Sequence, residues 1–213
     1  MPSNRALQIT QEEIRKLDEN FSVRAFQFAI YQCRLTITQL PSQQNPAVED
    51  PKANIAEYLD VQLERAHEWA DRDADLIAIV LRCLIELSEW AIHISEDSQN
   101  AEQFLEEARI DVKELLQFGP FTSDPEIAAG IREAIDSVKG TRVIFKGREP
   151  HDRLFHKVCS KMIHPSSVSI NARKDFVKDE VLKSHLAVRV IVFAWRIIHS
   201  LYEVNFVETK SEQ

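Results

Sequence analysis

Glycine is scarce in this chain, with four residues among 213. Glycine supplies the turns and bulges that β-rich folds need so often, so its scarcity argues for helices joined by few tight turns. Cysteine is scarce as well. Cys33, Cys83 and Cys159 are too few and too scattered for a disulfide scaffold or a zinc cluster. Each falls inside an apolar helical pattern, where a free thiol behaves as a small hydrophobe, and that usage points to a reducing, cytoplasmic setting. The first residues, MPSNRALQITQEE, hold no apolar stretch of signal-peptide length. The most apolar segment, residues 186–206, is interrupted by Arg189, Arg196, His199 and Glu203. Two arginines within one span make membrane insertion costly, so a soluble chain with no membrane partner is expected. No phosphate-binding glycine loop, dinucleotide fingerprint, His-Glu-x-x-His or nucleophile-elbow motif occurs. The histidines and acids offer no tight metal spacing; His151 and His156, for example, are five apart. Neither a metal nor a cofactor is expected.

Charge is present in an uneven layout. The net charge is −8, which alone would discourage a nucleic-acid partner. Between Lys139 and Arg196, however, thirteen Lys and Arg face five acids, a local charge of +8, and the rest of the chain carries −16. Four of the seven histidines also lie in the basic stretch. Such asymmetry fits an anionic ligand, and equally an acidic and a basic half that pack together.

The apolar residues recur at helical spacing almost throughout. Thr10 and Glu13 form a capping box, and Ile14, Leu17, Phe21, Ala25, Phe28 and Cys33 trace a first helix towards Leu40, stopped by Pro41. Residues 41–51, PSQQNPAVEDP, read as a polar, proline-rich loop. A second helix runs from about Lys52 to Ala70, with Ile55, Leu59, Leu63 and Ala66 on one side, and a third from about Ala74 to Ile94. A fourth follows Ser98 and ends at Gly119-Pro120. Asp124-Pro125-Glu126 opens a fifth, closed by Lys139-Gly140-Thr141. A break covers about 139–150, with RVIFKGREP as an extended run. A sixth helix spans FHKVCSKMIHPSS, and a long amphipathic seventh, either continuous or broken, runs from about Asn171 to Phe206. No repeat or low-complexity tract interrupts this order. The expectation is an all-α protein, a single helical bundle of about six to eight helices spanning 1–213 as one domain.

Two polar stripes stand out on these helices. On the third, Arg82, Glu86, Glu89 and His93 fall at spacings of four, three and four, which aligns them on one narrow strip of an otherwise apolar helix. Arg82 and Glu86 can pair at i,i+4. On the sixth, Leu154, Phe155, Val158, Cys159 and Met162 form the apolar face, with Arg153, Lys157, Ser160, Lys161 and His164 opposite. Pro165 disfavours helical geometry at the residue before it, so His164 is placed at the helix end, where the free carbonyls and macrodipole favour its charged form. Either stripe can be a solvent face. If they form a site instead, Arg82, Glu86, Ser160 and His164 should converge, with Glu86 bonded to Arg82 or His164, because a buried polar stripe needs another to satisfy it. Ser160 and His164 make no triad by themselves, since no orienting acid is identifiable.

The Arg82-x-x-x-Glu86 helix and the later Phe155-x-x-x-x-Ser160-x-x-x-His164-Pro165 segment resemble those of an uncharacterised bacterial all-helical family. The resemblance runs from about Leu76 to Ser167. That family looks akin to the HEPN helical bundles, many of which are metal-independent ribonucleases of toxin–antitoxin and phage-defence systems. HEPN nucleases carry an arginine four to six residues before a histidine. Here lysines stand at that distance instead, Lys146, Lys157 and Lys178 before His151, His164 and His185, and a lysine lacks the planar fork that grips a phosphate twice.

Three functions follow as expectations. The first is a non-enzymatic helical-bundle protein of defence or toxin–antitoxin type that binds RNA or another phosphate ligand through its basic C-terminal half, using Arg82, Glu86, Arg153 and Lys161. The second is a divergent HEPN-like endoribonuclease, with His164, Ser160 and Lys157 as the catalytic group. The third is a structural or interaction module, a homodimer through Phe193, Ile197 and Leu201 of the last helix.

Overall fold

The computed structural model describes residues 11–40, 50–97, 99–117, 125–137, 149–164, 175 and 178–208. Among them are eight α-helices and no strand: α1 (Gln11–Glu19), α2 (Val23–Ile37), α3 (Pro51–Glu68), α4 (Ala74–Glu96), α5 (Asn100–Gln117), α6 (Pro125–Ser137), α7 (Pro150–Ile163) and α8 (Glu180–Glu208). The chain is all-α, as glycine scarcity and helical periodicity imply. It divides into two compact units, one of Met1–Ser95 with Phe145–Gln213 and one of Glu96–Ile144.

The expected first helix is two. Ser22 leaves helical geometry and its hydroxyl accepts the Ala25 N–H at 3.2 Å, a side-chain cap that restarts the chain as α2. The restart shifts the phase of the apolar face. Phe26, Ile30, Cys33 and Ile37 are buried, whereas Phe28, assigned by an unbroken periodicity to the inner face, is 64% exposed. The Thr10–Glu13 box lies outside the residues whose side chains are described, as does most of RVIFKGREP. Helix α3 opens on Asp50, which accepts the Lys52 N–H at 2.9 Å, with Pro51 in the first turn where its missing donor costs nothing. Its expected face, Ile55, Leu59, Leu63 and Ala66, is fully buried.

In the larger unit α2 and α3 run antiparallel, clamped by the two-pronged Arg34–Asp60 pair at 2.7 and 2.9 Å and by Gln27 Nε2 donating to the His67 carbonyl. Helix α8 packs against α1, α2 and α3. It starts where the Asp179 carboxylate accepts the N–H groups of Val181 and Leu182; the expected start near Asn171 lies outside the described residues. Phe193, Ile197 and Leu201 are buried in the core of this unit. They therefore cannot form the dimer contact expected of them, because each already has its apolar surface covered, worth about 1.5–3 kcal/mol per side chain. In the smaller unit α5 packs on α6, with Ile110 and Ala128 inside. Among the described residues no helix is long and apolar enough to cross a membrane.

Helix α7 is fixed to α8 near its start. Asp152 is buried and accepts from Arg196 Nη1 at 2.6 Å, and the Arg189 guanidinium lies 4.9 Å from the Phe155 ring centre. Cys159 is fully buried and Phe155, Val158 and Met162 are half-buried. Leu154, expected on the apolar face, is 57% exposed, because buried Asp152 turns that face towards Arg196 and carries Leu154 away from it.

Candidate functional site

Helix α4 carries Arg82, Cys83 and Glu86 on consecutive turns of one side, and each meets a different neighbour. Arg82 Nε donates to Glu86 Oε1 at 3.3 Å within the helix. The same oxygen lies 3.0 Å from His156 Nε2 on α7, and Arg82 Nη1 lies 2.7 Å from His164 Nε2 at the end of α7. On the opposite flank Tyr58 of α3 stands close enough to Cys83 for each to act on the other's acidity. A continuous chain of contacts thus runs His164, Arg82, Glu86, His156. Glu86 is 44% exposed and His156 14%, so the chain opens to solvent at the carboxylate and closes at the imidazole.

His164 occupies the expected helix terminus. Its backbone turns extended after Ile163, and its N–H still reaches the Ser160 carbonyl at 3.0 Å. A guanidinium can only donate, so a nitrogen 2.7 Å away must present a lone pair. In this contact His164 Nε2 is the acceptor, which leaves Nδ1 to carry the ring proton. His156 has the opposite requirement: facing a carboxylate, its Nε2 must carry the proton.

The expected convergence is met by Arg82, Glu86 and His164, with Glu86 bonded to Arg82. Ser160 sits half-buried between the two histidines, one turn from each, and is not a link in the chain of bonds. Lys157, Arg153 and Lys161 are exposed along the outer side of α7. Further along α4 the stripe turns inward: Glu89 is 2% exposed, so it is not a solvent face there, and the ring of His93 stands edge-on to Trp90.

Two residues of the site escape the sequence patterns. His156 could have been found, since 156, 160 and 164 repeat at intervals of four on one helix. Tyr58 has no such signal, because its neighbour lies on another helix.

The thiols are poor nucleophiles. Burial pushes Cys159 up to about 12 and raises Cys33 further, and it also raises Cys83, against the pull of nearby Tyr58. Burial, with the neighbouring Cys83, likewise pushes Tyr58 up to about 12. All stay protonated near neutrality. Among the described residues no three of His, Cys, Asp and Glu are grouped as metal ligands. No family model, curated protein or solved structure matches this chain.

Proposed function

We propose that this protein binds RNA or another phosphate-bearing ligand at Arg82, without transforming it. One observation carries the reading. The Arg82 guanidinium is oriented from two sides, Nε by Glu86 and Nη1 by His164, and its Nη2 edge has no partner among the described residues. A guanidinium fixed in place with one edge open suits a phosphate oxygen, since little side-chain freedom remains to be lost on binding. Glu86 does not cancel this role, because its carboxylate is shared with His156. Exposed Lys157, and the +8 segment to which α7 belongs, favour an anion on the same side. The resemblance of these helices to HEPN-related bundles would make the protein one of defence or toxin–antitoxin type.

Titrating a labelled single-stranded octanucleotide at low salt tests the reading. Binding should weaken as salt rises, and Arg82→Met should weaken it at every salt concentration. Absence of binding at low salt, or binding indifferent to salt, overturns the proposal.

A second reading rests on the paired tautomers. His164 offers a lone pair to Arg82 and His156 an N–H to Glu86, the two forms that a general base and a general acid require once a substrate displaces those partners. In a ribonuclease of this kind His164 would take the 2′-hydroxyl proton and Arg82 would stabilise the phosphate. RNA incubated with the protein in EDTA should then be cleaved, and His164→Ala should abolish cleavage while leaving the helical spectrum unchanged. Intact RNA removes this reading and leaves binding alone.

A further inference from the structure

Three basic residues lie along one side of α8. His185, Arg189 and Arg196 are spaced by four and seven, which stacks them on one face of the helix. The outer two each meet a carboxylate from a neighbouring helix. His185 Nδ1 lies 3.5 Å from Asp18 Oδ1 on α1, and Arg196 Nη1 donates to Asp152 Oδ2 on α7 at 2.6 Å. Arg189, between them, meets no carboxylate and no hydrogen-bond acceptor among the described residues. It is nonetheless half-buried, with its guanidinium 4.9 Å from the centre of the Phe155 ring on α7. A ring attracts the charge over its face and leaves the N–H donors unused, so this contact replaces neither lost water nor a carboxylate. Arg196 shows what is missing. Its guanidinium also stands over a ring, that of Phe193 at 4.7 Å, and it has Asp152 in addition. No neighbouring acid is left to fill the gap: Asp152 and Asp18 are engaged, and α8 has no acid between Glu180 and Glu203. The donors are accessible. Among the described residues the buried side-chain atoms without a partner belong to Gln62 and Trp195, so the Arg189 nitrogens reach solvent.

We propose that Arg189, laid on Phe155, binds the carboxylate of an external ligand. The site is separate from Arg82 and independent of the phosphate reading there. A carboxylate holds two oxygens in one plane, which accept from two parallel N–H groups of a guanidinium. It is also the group that completes both neighbours on the same stripe. The ring holds the guanidinium beforehand, so less side-chain freedom is lost when the ligand arrives. A lysine would not serve, because its ammonium has no planar fork. Binding removes the cost of a half-buried cation without a counter-charge, which is why the position discriminates an oxyanion from a neutral ligand.

The test follows the Arg189 Nε–H and the Phe155 backbone N–H by nitrogen–proton NMR while sodium acetate replaces sodium chloride at constant ionic strength. Both signals should move and saturate with acetate. Arg189→Lys keeps the charge and should weaken acetate binding, read at Phe155, by roughly tenfold or more, the loss of about one charge-assisted bond. Phe155→Leu should weaken it as well, and Phe155→Tyr, which keeps the ring, should restore it and guard against a fold lost in the Leu variant. Blocked hexaglutamate, titrated alongside, tells the source of the carboxylate: the acetate affinity per carboxylate marks a small acid, and tighter binding marks an acidic peptide. Arg82→Met should leave the acetate affinity unchanged, so failure at Arg189 and failure at Arg82 are separate results. Signals that stay fixed in acetate overturn the proposal. Arg189→Lys protein that binds acetate as tightly as the wild type also overturns it, since a point charge would then suffice.

Discussion

Replacing Gln62 with methionine should stabilise the protein. Gln62 lies in the middle of α3 with no exposed surface, and neither its Oε1 nor its Nε2 has a hydrogen-bond partner among the described residues. In the unfolded chain both atoms are hydrated, so folding strips them of water and gives nothing back. A buried amide left in this state costs about 1–3 kcal/mol. Methionine has a similar length and flexibility and carries no group that needs a partner, so the substitution removes the penalty with little change of shape. Helix propensity does not confound the comparison, because glutamine and methionine rank alike. The expected gain is about 1–3 kcal/mol, at roughly 2–4 °C of Tm per kcal/mol for a chain of this size. Thermal melts and urea titrations of the two proteins measure it. A Tm that falls by several degrees would refute the reasoning, because it would mean that the amide makes bonds in solution that it lacks here.

Four other substitutions and one pH series probe the rest of the molecule. Arg196→Met leaves the Asp152 carboxylate buried without its cation and should destabilise the protein by about 3–5 kcal/mol in urea titrations, more than the exposed change Arg15→Met. Arg82→Met should weaken octauridylate binding by roughly tenfold or more and lower the salt slope by about 0.7, the signature of one phosphate contact on a single strand. Stability should decline above pH 9 and keep falling towards pH 12. In that window the unfolded thiol, whose ordinary value is 9.0, has lost its proton while Cys159, pushed up to about 12 by burial, retains it. The unfolded state then binds fewer protons, so unfolding becomes easier as pH rises. Urea midpoints at pH 8 and pH 10 should differ less for Cys159→Val than for the wild-type protein.

The helices were legible where a single apolar face repeats without interruption. Ile55, Leu59, Leu63 and Ala66 of α3 are an example, since one amphipathic face both forms the helix and buries it. The break between α1 and α2 was not legible, because Ser22 interrupts a periodicity that otherwise continues through it. One capping hydroxyl there decides the phase of the fifteen residues that follow. Leu154 was misplaced for a related reason. Asp152, a carboxylate, is part of the buried face, and only Arg196, 44 residues further along the chain, permits its burial. Of the site, Arg82, Glu86 and His164 could be anticipated from one spacing and one proline. The acceptor role of His164 Nε2 could not, because it depends on a cation contributed by another helix. Phe193, Ile197 and Leu201 show that an amphipathic face in a sequence does not reveal whether it meets the chain's own core or a second copy.

The contact between Arg82 and His164 is the centre of the account, and nitrogen NMR of the histidine rings tests it most directly. At neutral pH the His164 ring should carry its proton on Nδ1 with Nε2 unprotonated, and the His156 ring should carry a proton on Nε2. Addition of octauridylate should shift the His164 signals as phosphate takes its place beside Arg82, and Arg82→Met should abolish both the tautomer preference and the shift. A proton on Nε2 of His164 in the free protein, or His164 signals that stay fixed at saturating octauridylate, would contradict the account.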